Sequence, residues 1–132
     1  MAAPTPVSVL LDTCAVLALA RGELPAGATA SLRSAPEAVV SVVSAWEVGI
    51  KTARGKLRLT RPPLQWFAEL TDRYALRVQP LDAGTAFAAA ALPPVHRDPF
   101  DRVLVALAQA QTLVVLTSDE HIPKYPGIHA VW

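Results

Sequence analysis

The sequence predicts an α/β fold in three layers, α/β/α, around a central parallel sheet of four to five strands. Three observations lead to it. Short uninterrupted apolar runs, the pattern of strands buried on both faces, recur along the chain. Segments with apolar residues at helical spacing separate these runs, and such alternation builds a parallel sheet covered by helices on both sides. The length, 132 residues, suits one domain spanning 1–132 with a single buried core that needs no disulfides.

The elements follow in order. Val7–Leu11 is an apolar run that ends abruptly at Asp12, as a buried strand does. Cys14–Ala20 starts a helix, which Gly22 and Pro25 break. Ala26–Ser34 is alanine-rich and helical, and Ala38–Ser41 reads as the second strand. Ser44–Arg54 carries apolar residues at helical spacing with Gly55 as its stop, and Ser44 with Glu47 matches the capping-box pattern. Pro62 and Pro63 open a helix that runs to about Ala75. Leu76–Pro80 is a short strand. Asp82 caps a helix reaching Leu92, and Pro93-Pro94 breaks the chain. Asp98-Pro99 starts a strongly amphipathic helix to Gln111. Leu113–Thr117 is rich in β-formers and ends near Asp119, and His129–Trp132 forms a last short strand. The sequence contains no internal repeat and no linker.

Composition narrows the function classes. With 52% hydrophobic and 17% charged residues the chain is globular rather than disordered. Twelve prolines fall between the periodic segments as punctuation. Cys14 is the only cysteine, which excludes a disulfide within the chain and fits a reducing compartment. The apolar amino-terminal stretch lacks a basic leader and is interrupted by Asp12, so it fits neither a signal peptide nor a membrane span. A soluble, cytoplasmic protein is expected. Twelve basic residues stand against eleven acidic ones, for a net charge of +1. That balance is no general nucleic-acid signature. Lys51, Arg54, Lys56, Arg58 and Arg61 form a basic run that suits phosphates, although a solvated helix end explains it more economically.

The acids are few and sit at chemically loaded places. Asp12 follows the first strand and Asp119 follows a later one, and the carboxyl ends of strands line the ligand crevice in open α/β sheets. Asp98 and Asp101 open the helix before that later strand. Glu47 lies among Trp46, Val48 and Ile50, where a carboxylate needs a partner or a cation. Taken singly, each has a structural explanation. Asp98 is a good helix cap and Asp101 sits well in a first turn. Glu47 can complete the capping box or pair with Lys51, and Asp119 can form an Asx-turn. Gathered together they would repel, by roughly 4 kcal/mol per pair about 4 Å apart at an effective dielectric of 20. A hard divalent cation with oxygen ligands is the natural compensation. His96, His121 and His129 do not make a zinc site, because they have no close His or Cys partners at ligand spacing. Cys14 has no Cys–His framework and reads as a small buried residue. A Gly-rich phosphate loop and a Gly-x-Ser-x-Gly elbow are both absent from the sequence.

Leu10-Leu11-Asp12-Thr13, the stretch Ser44-Ala45-Trp46-Glu47-Val48-Gly49-Ile50-Lys51, the block His96-Arg97-Asp98-Pro99-Phe100-Asp101-Arg102, and Leu116-Thr117-Ser118-Asp119 together resemble the PIN domain. They are similar above all to its bacterial VapC-type toxin branch, whose pattern Gly55-Lys56-Leu57 and Leu92-Pro93-Pro94 also match. The resemblance runs from about Val7 to Trp132, and the ordered set is specific where Asp12-Thr13 alone would be weak. It implies a PIN-like fold and an Mg²⁺-dependent endoribonuclease (Mn²⁺ able to substitute) that hydrolyses phosphodiester bonds with one or two metal ions and leaves 5′-phosphate and 3′-hydroxyl ends. By position, Asp12, Glu47, Asp101 and Asp119 match the four catalytic, metal-holding acids. Asp98 is either a helper of that set or only the helix cap, and Thr13 and Thr117 are candidates for orienting acids or water. Lys51, Arg97 and Arg102 either contact substrate phosphate or neutralise neighbouring acids. Trp46 and Phe100 either stack a base or, the simpler reading, pack in the core. His96 is either a substrate contact or structural. Cys14 stands where similar sequences often carry histidine. The partners implied are an RNA substrate, a cognate antitoxin protein and a second copy of the chain in a homodimer, with no membrane.

Rival readings have distinct signatures. A catalytically inactive PIN-like module would bind RNA or protein, and neutral replacements of Asp12 or Asp101 would leave it unaffected. A phosphatase using Asp12 as nucleophile would want a second acid where Cys14 stands. A DNA nuclease on the same scaffold would be told apart by parallel DNA and RNA substrates, because selection for RNA rests on the 2′-hydroxyl.

Overall fold

The computed structural model of the chain describes residues 6–132. Five strands alternate with six helices in the order β1 (Val9–Leu11), α1 (Thr13–Arg21), α2 (Ala26–Ser34), β2 (Ala38–Ser41), α3 (Val42–Ala53), α4 (Pro63–Arg73), β3 (Leu76–Gln79), α5 (Ala83–Ala90), α6 (Pro99–Gln111), β4 (Val114–Leu116) and β5 (Ala130–Val131). A 3-10 turn at Ile122–Lys124 lies between β4 and β5. All strands are parallel, in the spatial order β3-β2-β1-β4-β5. The predicted α/β/α sandwich is therefore the observed one, with the upper number of strands expected.

The strands are short and apolar because both faces are covered. β1 and β2 are buried throughout. Successive strand residues point to opposite faces, and this divides the interior into two cores. Leu10, Val39 and Val115 pack with Leu104, Val105, Leu107 and Ala108 of α6 and with Ile122, Tyr125 and Ile128. Val9, Leu11, Ala38, Val40 and Leu116 face the other way, against Ala15, Val16 and Leu19 of α1, Ala28 of α2 and Leu70 of α4. Burying any one of the valine, leucine or isoleucine side chains among these contributes roughly 1.5–3 kcal/mol. The sheet is thus held by two helix layers rather than by its edges, where β5 has two residues and β3 exposes Arg77 and Val78.

Registry places the strand ends level. Leu11 pairs with Val40 on one side and with Leu116 on the other. Asp12, Ser41 and Thr117, which follow or end these strands, therefore emerge at one edge of the sheet. β1 lies between β2 and β4, so the chain builds the sheet first on one side of β1 and then on the other, the arrangement that opens a crevice in doubly wound sheets. Helix α3 contacts both layers, touching α1 and α4 on one side and α6 on the other.

Helix ends follow local chemistry, with one departure. Asp12 caps α1, Asp82 caps α5 and Asp98 caps α6 through side-chain bonds to backbone N–H groups. Gly55, at φ +71°, ends the turn after α3 as expected; its left-handed backbone lets the Lys56 N–H reach the Lys51 carbonyl at 2.9 Å. The departure is the start of α3. Ser41 is its cap, its Oγ accepting from the Val43 N–H at 3.2 Å. The Ser44–Glu47 capping box is therefore not formed: Ser44 already lies inside the helix, which frees Glu47 for other contacts. Among the described residues, no helix is long and apolar enough to cross a membrane.

Candidate active site

Asp12 is a helix cap and a buried carboxylate at once. Its Oδ1 accepts from the Ala15 N–H at 2.8 Å, and its Oδ2 accepts from the Thr117 hydroxyl. Burial pushes its pKa above the ordinary 3.8, the two hydrogen bonds oppose this, and the charges of Asp119 and Glu47 add to the rise. Thr117, itself buried, also accepts from the Asp119 N–H at 2.9 Å. One hydroxyl thus fixes Asp12 and the backbone of Asp119 together. Thr13 plays the matching part on the other side. Its hydroxyl donates to Glu47 Oε1 at 2.7 Å and stands 3.1 Å from the buried Ser44 Oγ. Glu47 is further paired with Lys51, one turn along α3, at 3.1 Å.

Asp101 rises from the first turn of α6 into the same space. Burial, then the charges of Asp98, Asp119 and Glu47, push its pKa from 3.8 to about 7, while His96 pulls the other way. His96 Nε2 lies 3.1 Å from Asp101 Oδ2 and 3.0 Å from Asp119 Oδ2. Its Nδ1 accepts the Asp98 N–H at 3.2 Å, so the ring proton sits on Nε2 and points between the two carboxylates. Asp119 also accepts from His121, through the backbone N–H at 2.8 Å and at Nδ1 at 3.1 Å. Burial raises the Asp119 pKa, but these donors outweigh it and bring the group below 3.8. The bond from the His121 N–H is also the Asx-turn that the sequence allowed.

Asp12, Glu47, Asp101 and Asp119 line one open cavity of about 370 Å³ together with Thr13, Cys14, Leu17, Lys51 and Ser118. The four acids that the resemblance singled out are thus drawn together from β1, α3, α6 and the end of β4. A larger cavity of about 530 Å³ lies elsewhere, among Leu24, Leu32, Glu37 and Tyr74 at the amino ends of β2 and β3, and holds none of these acids. The donor set fits a hard divalent cation: four carboxylates supply oxygen, and two of them are held high in pKa partly by mutual repulsion that a cation would relieve.

Other expectations are corrected. Arg102 is not free for phosphate or for neutralising acids. Its guanidinium donates to the carbonyls of Leu92 at 2.8 Å, Pro93 at 3.0 Å, His96 at 3.2 Å and Ala90 at 3.4 Å. Lys51 neutralises Glu47, whereas Arg97 is exposed and keeps a phosphate role open. Of the basic run, Arg61 pairs with Glu69 at 3.0 Å, and Arg54, Lys56 and Arg58 are exposed. Asp98 caps α6 through the Phe100 N–H at 2.9 Å and acts on Asp101 through its charge. Cys14 is exposed, its Sγ 3.3 Å from Ser118 Oγ, because its side of α1 lines the cavity while Ala15 and Val16 face the core. Trp46 is 62% exposed instead of packed, its ring edge-on to the half-buried Phe100 with centroids 5.2 Å apart. Two of the three histidines do converge: among the described residues, ligand atoms of His96, Asp119 and His121 lie within 4.8 Å of one another. By sequence His121 is set aside for want of partners at ligand spacing; its one signal there is its place two residues after Asp119.

A family comparison agrees with this geometry. The PIN domain matches residues 9–128, and the chain belongs to the PIN-domain family. Solved structures share the fold at low identity. VapBC2 from Rickettsia felis, bound to a DNA fragment from its promoter, superposes with a TM-score of 0.68 at 12% identity, covering 93% of this chain and 96% of that one. A toxin–antitoxin complex from Klebsiella pneumoniae gives 0.64 at 18% identity, with 91% and 94% covered. DNA-bound VapBC from Salmonella typhimurium gives 0.64 at 17%, with 94% and 96% covered. Comparison with curated protein sequences finds no match.

Proposed function

We propose that this chain is an Mg²⁺-dependent endoribonuclease and the toxin of a VapC-type toxin–antitoxin pair. The observation that carries the reading is the meeting of Asp12, Glu47, Asp101 and Asp119 in one cavity at the carboxyl edge of the sheet. These four side chains would hold Mg²⁺, with Mn²⁺ as a substitute. When bound, the ion supplies positive charge against the negative charge that develops during phosphodiester displacement.

The chain's own groups prepare that site. Thr117 and the Ala15 N–H fix both oxygens of Asp12 before any ligand arrives. Thr13 aims Glu47 inward and Lys51 balances part of its charge. Such prior fixation avoids reorganisation during reaction. Trp46 offers an exposed aromatic face beside Glu47 on which an RNA base can stack, and Arg97 is available for a phosphate. The antitoxin belongs to the same reading, supported by the toxin–antitoxin complexes among the similar structures. The cleft between α3 and α4, lined by Ala45, Trp46, Leu64 and Phe67, with Leu64 82% exposed, is apolar surface suited to that partner or to a second copy in a homodimer.

End-labelled RNA incubated with the purified chain in Mg²⁺ and in EDTA, beside Asp101→Asn, tests the activity. Cleavage in Mg²⁺ alone, reduced on the order of 100-fold or more in the variant, supports the reading. Equal cleavage by the variant overturns the site. Intact RNA with a folded wild-type chain that binds RNA favours the inactive binding module. A DNA strand of the same sequence, run in parallel, separates a ribonuclease from a deoxyribonuclease.

A further inference from the structure

Beside the oxygen-rich cluster lies a group of different chemistry. His96 comes from the loop before α6, while Asp119 and His121 come from the turn after β4. The Asp119 carboxylate divides between the two rings: Oδ2 is 3.0 Å from His96 Nε2 and Oδ1 is 3.1 Å from His121 Nδ1. The rings are 5.1 Å apart between centroids and tilted by 52°, so both nitrogens face the same carboxylate. Tetrahedral bonds of about 2.0 Å set neighbouring ligand atoms roughly 3.3 Å apart. Both nitrogen–oxygen separations are within a few tenths of an ångström of that figure.

We propose that His96, Asp119 and His121 form a site for a borderline transition-metal ion of the Zn²⁺ class, separate in ligand type from the four-acid cluster and sharing Asp119 with it. Imidazole nitrogen favours Zn²⁺, Co²⁺ or Ni²⁺, whereas Mg²⁺ prefers oxygen. Three protein donors leave a fourth position for solvent or another donor, the pattern of an open rather than a purely structural centre. His121 is half-exposed, and its proton must pass from Nδ1, where it now bonds Asp119, to Nε2 before Nδ1 can bind. His96 must move its proton from Nε2 to Nδ1, which displaces the Asp98 N–H from Nδ1. Metal binding here therefore has a local signature at the start of α6. Because Asp119 is common to both sites, an ion held by the histidines withdraws it from the acid cluster. On the ribonuclease reading above, on which this consequence alone rests, Zn²⁺ antagonises Mg²⁺-dependent cleavage.

The test is a titration of the full chain with Co²⁺, read by its visible absorption, and with Zn²⁺, read by displacement of Co²⁺ and by X-ray absorption at the zinc edge. The expected result is a tetrahedral or five-coordinate Co²⁺ spectrum, imidazole scattering around Zn²⁺, and a change in the Asp98 amide resonance. His121→Ala and, independently, His96→Asn should each weaken Co²⁺ binding by more than about tenfold, the size that even an indirect partner of a metal ligand commands, while Asp12→Asn leaves the Co²⁺ spectrum in place. Circular dichroism shows whether each variant is folded. An octahedral spectrum without imidazole scattering, or equal Co²⁺ affinity in wild type and both histidine variants, overturns the site. Neither readout uses RNA, so a chain that binds Co²⁺ here but cuts no RNA retires the nuclease reading alone. A chain that cuts RNA in Mg²⁺ yet shows no histidine-dependent Co²⁺ binding retires the metal site alone.

Discussion

The Thr117 hydroxyl touches two acids whose positions the proposed reaction needs, Asp12 through its side chain and Asp119 through its backbone. Thr117→Val keeps the shape and removes both bonds, leaving a buried Asp12 oxygen unpaired. Stability should fall by about 1–3 kcal/mol in a denaturant titration, RNA cleavage should fall with it, and Thr117→Ser should restore both. A second prediction concerns pH. In the metal-free chain Asp101 titrates at about 7 against an ordinary 3.8, and Asp12 is shifted the same way. A raised carboxyl is one that the folded state prefers protonated. Its contribution is complete below pH 3.8 and is lost as pH rises through about 7. Asp119 is shifted down, so its contribution is present above 3.8 and disappears only on further acidification, outside that window. Calorimetry in EDTA should therefore show the melting temperature declining between about pH 4 and 7, and Asp101→Asn should flatten the decline. The four acids were legible in the sequence only as an ordered set resembling a family pattern, because each taken alone has a structural explanation. The meeting of His96 with His121 was not, since it depends on where the loop before α6 settles against the turn after β4.

Helix α6 shows how an element is set from outside itself. Its sequence announces the cap Asp98, the initiating Pro99 and the buried stretch Leu104–Ala108. Nothing local announces that Arg102, one residue past a site acid, turns back to hold four carbonyls between Ala90 and His96. Arg102→Lys replaces a planar fork by a point donor that cannot serve them all. It should cost about 1–3 kcal/mol and speed amide exchange across residues 90–98, while the salt dependence of RNA binding stays unchanged. A phosphate contact would instead lower the salt slope by about 1. Helix α3 teaches a related lesson. Ser41 and Ser44 are both able caps, and local pattern favours Ser44 because Glu47 follows at the right interval. The observed start is Ser41, where extended strand backbone passes directly into helix. Burial of β2 decides the boundary, and tertiary packing is what the sequence window does not contain.

At the scale of the whole molecule, the alternation of strands and helices was readable from the sequence, because apolar runs buried on both faces look unlike amphipathic helices. The strand order was not, since no residue in β1 states that β2 and β4 are its neighbours. On the proposed reading, that order makes metal binding a property of the folded chain alone. Mg²⁺ at about 100 times its dissociation constant should stabilise the wild type by about 2.7 kcal/mol. The gain should be visible as a rise in melting temperature and reversed by EDTA, and Asp12→Asn should remove most of it. The central position of β1 has a further consequence, one of timing. Asp12 and the Thr117 that anchors it are 105 residues apart along the chain. During synthesis from the amino end, Asp12 and Glu47 exist long before α6 and β4 do, and strand pairings at such separation form late. On the ribonuclease reading, a half-made chain is harmless to the message from which it is being translated, and activity arises only when β4 slots in beside β1.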